Sequence, residues 1–474
     1  MNVLACPGAE GPAALVTAGR GGKLVRITTT ADNESGPGLP GSIREFAKMS
    51  GPRIGVFDFP AGTDARINNL RPLIFDKPDF RLCGQTALGQ GVTLSGEETR
   101  FQTYNFLVEH VRLSRGDQQD ARDGFQNADA ANTGDPDAGG ASFGLFKNCS
   151  FRWAIDETFT LWYQTHDMTV QDCLLTEGLY RSRHPEGPHS MGFLVGAPGT
   201  GISSRISLIR TFMSNFDQRV PQITACQYFD MRNCFAYNWK THAAEFKELG
   251  NIVNMLGNYY QAGPDTDTSV NPSFIGVDVS ASDMQLCIEG NIGPTITNPL
   301  ANNWPAVRAA ANGAQVPATG HQLAAPFDAP NTNAPMSAED AKAYVLAHAG
   351  CMRPVRDSHD ARVVAQVATN TGRVIDSQSQ VGGWSVNTSK ASLQDSDSDG
   401  MPDAWEDSHG TNKVFAADAN EVRSDQGWTN LEIYLAELAQ RDFVPPTTTR
   451  GGFFQNWLNL FRRRRVSSPP PYRM

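Results

Sequence analysis

The run Asp395-Ser-Asp-Ser-Asp-Gly-Met-Pro-Asp-Ala-Trp-Glu406 puts carboxylates at positions 1, 3, 5, 9 and 12 of a twelve-residue loop, with Gly400 at position 6. That spacing is the one an EF-type calcium loop needs. Alternate side chains turn inward as hard oxygen donors, the glycine makes the sharp turn, and the closing glutamate adds two more oxygens. Asp395, Asp397, Asp399, Asp403 and Glu406 are expected to ligate Ca²⁺ through side chains and Met401 through its carbonyl. With Gly427 at its sixth position, the partner loop that should follow carries Val422, Ser424, Gln426 and Ile433 at positions 1, 3, 5 and 12, and so has lost its ligands. The stretch 429–435 reads as its exit helix.

A scaffold for such chemistry is visible as a repeat. Lys147-Asn-Cys-Ser-Phe151 returns as Gln171-Asp-Cys-Leu-Leu175, and Arg232-Asn-Cys-Phe-Ala236 as Leu256-Gly-Asn-Tyr-Tyr260. Taking the second residue of each pattern as a marker (His110, Asn148, Asp172, Arg210, Asn233, Gly257, Gly290), the intervals are 38, 24, 38, 23, 24 and 33. The short intervals are one unit and the long ones a unit plus a loop. A unit of this length holds two or three short strands rather than a helix pair, which implies an all-β, single-stranded parallel β-helix whose coils bury their apolar faces by stacking.

Length and composition agree. A solenoid core grows along an axis, so 474 residues need not divide into several compact cores. Forty-four Gly, 29 Pro and only 19% charged residues suit a chain that turns every few residues, and no run is long and apolar enough to span a membrane. We expect the solenoid over 1–390, with 296–336 as a bracing loop and a short amphipathic helix at 338–349. A small helical calcium module should occupy 391–442, and a linker with a docking tail 443–474. That tail, Phe453-Phe-Gln-Asn-Trp-Leu-Asn-Leu-Phe461 followed by Arg462-Arg-Arg-Arg465, can dock on a protein, a membrane surface or nucleic acid, and a protein partner is the favoured expectation. The formal net charge of −10 disfavours an acidic polymer as partner unless a divalent cation intervenes, part of it lies in the loop 395–407, and nucleic acid is not the expected ligand. Of the eight cysteines, Cys149, Cys173 and Cys234 directly follow a marker, where a solenoid turns side chains inward; free buried thiols are expected. No secretory signal is visible before Cys6, so for an extracellular or virion-associated protein either the signal has been removed or release takes another route, such as lysis.

Several segments, in order, resemble the pectate lyase family. They are Cys6-Pro-Gly-Ala-Glu-Gly11, Ala18-Gly-Arg-Gly-Gly-Lys23, Gly51-Pro-Arg-Ile-Gly-Val-Phe57, Gly84-Gln-Thr-Ala87 and Asp156-Glu157, then Thr176-Glu-Gly-Leu179, His184-Pro-Glu-Gly-Pro-His189, Gly257-Asn-Tyr-Tyr260 and Val381-Gly-Gly-Trp384. The resemblance implies a right-handed parallel β-helix and cleavage of a uronate polymer by β-elimination, with Ca²⁺ neutralising the carboxylate beside the C5 proton. It implies that Arg219, in Arg219-Val-Pro-Gln222, is the base. Asp156 stands at the family's acidic position, with Glu177 one coil on and Asp135 or Asp137 upstream. Because neighbours on a strand face opposite ways, Asp156 rather than Glu157 is expected at the groove. Arg181, Arg183, His184, Glu186 and Gln222 are the expected substrate-binding residues. The tail module resembles a dockerin-like calcium module.

The chain departs from the family's pattern at three places. Lys147-Asn148 stands where Asp-His is usual, Glu186 where a lysine is usual, and Thr224 at a second basic position. Two function classes therefore stay open: a calcium-assisted lyase acting on an acidic, pectate-like polysaccharide, and a glycan-binding structural protein such as a bacteriophage tail or decoration component. A hydrolase using paired carboxylates on the same fold is a third.

Overall fold

The computed structural model describes residues 3–440, apart from 118–127, 135–138, 197–198, 200, 248–249, 269–273, 278–283, 310–312 and 424–426. Asp135, Asp137 and the tail 453–465 lie outside the described residues. One coil runs through the strands Ser142–Lys147, Ser150–Arg152 and Glu157–Leu161, and the next through His166–Gln171, Leu174–Thr176 and Met191–Val195. The first strand of each coil joins a ten-stranded sheet, the second an eight-stranded sheet and the third a nine-stranded sheet, with chain order kept within each. Pairing is parallel, and the register Lys147↔Gln171, Ile209↔Arg232, Arg232↔Leu256 reproduces the repeat read from sequence.

The marker residues explain the period. His110, Asn148, Asp172, Arg210, Asn233, Gly257 and Gly290 all have positive φ, between 47° and 69°. Each is a single left-handed residue that turns the chain from the ten-stranded to the eight-stranded sheet, a conformation open mainly to Gly, Asn and Asp. His110 and Arg210 hold it against intrinsic preference.

The residue after each marker points inward and forms a ladder. The backbone N–H of Cys149 donates to Cys173 Sγ (3.4 Å), that of Thr211 to Cys234 Sγ (3.5 Å), that of Cys234 to Asn258 Oδ1 (2.8 Å), and that of Asn258 to Asn291 Oδ1 (2.9 Å). All eight cysteines are free and buried, as expected. Apolar rings fill the interior: Phe75 stacks in register on Phe101 (5.0 Å between ring centres) and Phe80 on Phe106 (5.4 Å), while Phe151 stacks across one coil on Phe159 (4.4 Å).

Outside the coils, helices Ala338–His348 and Ser358–Thr369 cover the eight-stranded sheet, packing Val345, Ala349, Val363 and Val367 against Leu174, Phe212, Phe235 and Tyr237. The segment 391–440 packs Met401, Trp405, Ala419, Leu431, Tyr434 and Leu435 into one apolar cluster with Ile54, Val56 and Cys83 on the outer face of the ten-stranded sheet. No helix among the described residues is long and apolar enough to cross a membrane. Replacing Asn258 by Ala orphans the Cys234 N–H inside the core. It should cost about 2 kcal/mol, the desolvation of one buried donor, measured as a shift in urea unfolding.

Candidate active site

Where the chain leaves the eight-stranded sheet it bends through Trp153 (φ 60°), and the next strand begins only at Glu157. Asp156 therefore sits in the bend, where strand alternation does not govern it. One coil earlier, Asp129 stands two residues before Ala131, which pairs with Phe159, so Asp129 is level with Glu157. The Glu157 N–H donates to Asp129 Oδ1 at 3.2 Å. Carboxylate oxygens of Asp129, Asp156 and Glu157 all lie within 4.8 Å of one another. The expectation that only Asp156 faces the groove is thus corrected: both neighbours converge, and Asp129 joins them. Burial, with the charges of Asp156 and Glu98, pushes the Asp129 carboxyl well above its ordinary value.

Arg219 comes to this cluster from two coils further on. It adopts φ 63° just before the cis Val220–Pro221 bond, and its guanidinium forms an ion pair with Glu157. Its Nε has no hydrogen-bond partner. Burial lowers the Arg219 pKa, against the opposing pull of Asp156, Glu245 and Asp129.

Two imidazoles close the other side of Asp156. His184 Nε2 is 3.4 Å from Asp156 Oδ2 and His189 Nε2 3.2 Å from Oδ1, with the rings stacked 3.5 Å apart. The Glu186 N–H donates to His184 Nδ1 at 3.2 Å, which places the neutral ring's proton on Nε2, facing the carboxylate. Nε2 of His184 thus faces the carboxylate, and donor atoms of Asp156, His184 and His189 lie within 4.8 Å of one another. Glu186 is itself exposed.

Gln222 lies on the outward row of the nine-stranded sheet, which runs Asn132, Thr160, Leu194, Gln222, Glu245 across successive coils. Its Nε2 donates to Thr224 Oγ1 at 3.2 Å. Lys247 Nζ reaches Glu245 at 3.4 Å. Arg181 is tied by its N–H to Asp376 and lies over Tyr180, with its guanidinium 5.9 Å from the ring centre, while Arg183 is exposed.

One expected site residue is placed elsewhere. Glu177 accepts from Arg362 Nη1 (2.7 Å) and Nη2 (2.9 Å) and from Trp153 Nε1 (3.1 Å), so it pins helix Ser358–Thr369 to the eight-stranded sheet instead of ligating beside Asp156. The left-handed turn at Glu177 (φ 54°) turns it to that sheet. Lys147 and Asn148 also lie away from Arg219. Lys147 pairs with Asp172 (2.7 Å) on the ten-stranded sheet and Asn148 donates to His348 O (2.9 Å).

The carboxy-terminal loop 395–406 gathers most of its expected carboxylates, with one exchange. Gly400 N–H donates to Asp395 Oδ2 (2.9 Å), and the Met401 N–H donates to Asp399 Oδ1 (2.8 Å). Asp395, Asp397 and Asp399 converge within 4.8 Å, and so do Asp399, Glu406 and Asp418. Asp403, expected at position 9, turns away: its oxygens accept from the Ser396 N–H and hydroxyl, both at 2.7 Å. Asp418, from beyond the loop, comes in where Asp403 was expected. Burial and the crowding of Asp399 with Asp397 push Glu406 up to about 8, and burial with Asp397 and Asp395 pushes Asp399 to about 7.

Compared with known proteins, the chain is 27% identical over 456 residues to a probable pectate lyase C of Aspergillus flavus, covering 93% of this chain and 96% of that protein. It is 26% identical over 451 residues to a probable pectate lyase C of Emericella nidulans, covering 93% and 94%. The chain is pectate-lyase-like over nearly its whole length. No protein-family profile matches it. The major allergen of cedar pollen, jun a 1, superposes on 72% of this chain and 92% of its own with a TM-score of 0.53 at 13% identity, which fixes the fold as the right-handed parallel β-helix.

Since Glu177 is a brace, Glu177→Ala should lower unfolding stability by about 2 kcal/mol, the worth of charged hydrogen bonds to a partner that stays partly solvated. Calorimetry should find its calcium binding unchanged.

Proposed function

We propose that the protein is an extracellular polysaccharide lyase that cleaves a uronate-containing, pectate-like glycan by β-elimination, with Arg219 as the base. The observation that carries this reading is the convergence of Arg219 with Asp129, Asp156 and Glu157 on the outer face of the nine-stranded sheet. Elimination takes the proton from C5, forms the C4=C5 double bond and expels the oxygen at C4. The C5 proton is weakly acidic because the adjoining carboxylate is already negative.

The three carboxylates fit a hard divalent cation. They offer only oxygen, they are close enough to share one ion, and Asp129 resists ionisation without a positive neighbour. Asp129, Asp156 and Glu157 would hold Ca²⁺, whose chemistry there is to neutralise the uronate carboxylate. His184 and His189 hold the Asp156 carboxylate in orientation. Burial of Arg219 makes its neutral form more accessible than on a solvated surface, and the guanidinium must leave Glu157 before it can take a proton. Gln222, Thr224 and Lys247 face the same groove and are the polar contacts for a bound glycan.

Arg219→Lys should fold normally and reduce release of unsaturated uronides from polygalacturonate by at least about 10²-fold, the usual weight of a positioned base. Ultraviolet absorbance with and without chelator reads this directly. Cleavage without that absorbance would identify a hydrolase, and undiminished absorbance in the variant would remove Arg219 from the mechanism.

Glu186 is exposed beside His184 and repels a uronate chain. Glu186→Lys should tighten oligogalacturonate binding and make it more sensitive to salt, because attraction between exposed charges is screened within about 8 Å at physiological ionic strength. Calorimetry at two salt concentrations checks it.

A further inference from the structure

The segment 391–440 holds a concentration of buried oxygen without partners. Both oxygens of Asp397, Oδ2 of Asp399, Oδ1 of Asp418 and both oxygens of Glu406 accept no hydrogen bond, and Glu406 is 0% exposed. Carboxylates in this state repel one another and forgo hydration, a cost of several kcal/mol for each buried ion that only a shared cation relieves. All the converging donors are carboxylate oxygens, the preference of Ca²⁺.

The same loop is pressed into the solenoid. A Cβ on Gly400 would come within 2.9 Å of the Leu24 side chain in strand Lys23–Ile27, so the loop's glycine serves both its turn and this close approach. Arg26, on that strand, pairs with Asp395 in the loop and with Asp58 (2.9 Å). Arg20 pairs with Glu432 (2.7 Å), and Trp428 Nε1 donates to Leu4 O (2.9 Å). Met401 and Trp405, which flank or lie within the ligand run, share their apolar cluster with Ile54 and Val56.

We propose that Asp395, Asp397, Asp399, Glu406 and, from outside the loop, Asp418 hold one Ca²⁺ that clasps 391–440 onto the first coils, so that the cation governs the stability of the amino-terminal end of the solenoid. Without it, repulsion among Asp399, Glu406 and Asp418 is relieved by opening the loop, and opening withdraws Met401 and Trp405 from Ile54 and Val56. The outer face of strand Arg53–Phe57 is then exposed to water. This clasp is independent of the lyase reading, because none of its residues approaches Arg219.

The test uses the full-length protein. Calorimetric Ca²⁺ titration is expected to lose the same site in Glu406→Gln and in Asp418→Asn, and to keep it in Asp403→Asn. Amide exchange on the wild type, moved from free Ca²⁺ at ten times Kd into chelator, is expected to speed up by roughly tenfold in strands Lys23–Ile27 and Arg53–Phe57, since protection from binding scales as 1 + [L]/Kd. Strands Ile252–Leu256 and Gln285–Glu289, at the far end, should not change. An Asp418→Asn protein that binds with wild-type affinity overturns Asp418 as a ligand. Exchange in the two amino-terminal strands that ignores chelator overturns the clasp, and because this measurement needs no variant, a misfolded Glu406→Gln does not blunt it. Asp156→Ala should leave the exchange response to chelator intact and keep in the titration the site that Glu406→Gln loses, even where it removes a second site, which separates this outcome from failure of the lyase site.

Discussion

A single coil of this protein has no inside. Three strands of two to seven residues joined by tight bends cannot close around their own side chains, so each coil is stable only when its neighbours supply the other half of its hydrogen bonds and apolar contacts. The left-handed residue at each marker is what lets the chain repeat the bend at constant phase, and constant phase brings Cys, Thr and Asn side chains into one ladder. Residues at the same phase on successive coils become neighbours at strand spacing, about 4.8 Å. Asp129 and Glu157, 28 positions apart in the chain, meet for that reason and no other.

The arrangement of charge follows from the same geometry. Beneath the amino-terminal segment, Lys147, Asp172, Arg210 and Glu10 form a buried chain of ion pairs, and although burial opposes ionisation, Arg210 and Lys147 hold Asp172 below the usual carboxylate range. On the nine-stranded sheet the carboxylates around Arg219 outnumber it, and Asp129 is driven toward its neutral form. The first cluster is balanced by the protein itself and is structural. The second is unbalanced, and unbalanced buried charge concentrated on an open face is a mark of a site that takes a ligand.

The repeat, and with it the fold, was legible because a left-handed turn restricts residue type at one phase and an inward position restricts it at the next. Arg219 stood out through its Arg-x-Pro context, and the structure pairs it with Glu157. Asp129 carried no comparable signal: it lies in Asn127-Ala-Asp-Ala130 beside a long insertion, and only the register of Ala131 with Phe159 reveals its level. Period-two reasoning misjudged Asp156 and Glu157 because the strand starts between them. His189 stood within a quoted motif, yet its role needed the stacking on His184. Asp403 and Asp418 show the limit of loop arithmetic. Position 9 has the right residue type, but the Ser396 N–H and hydroxyl capture it locally, and a residue fifteen positions later arrives through the short turn 416–420.

The ladder of thiols has a consequence for the history of the molecule. Burial raises Cys83, Cys234 and Cys287 to about 12 and Cys351 to about 11, so in the closed solenoid almost no thiolate exists to react. Cys149 and Cys173 nonetheless sit on adjacent coils, one sulfur accepting the other's backbone N–H. A coil that parted from its neighbour in an oxidising medium would release two reduced sulfurs side by side with water, and a bond formed between them then would hold that pair in a spacing the ladder does not use. Each opening event therefore carries a chance of becoming permanent, and the working lifetime of the protein is set by how seldom its coils separate rather than by how readily they rejoin.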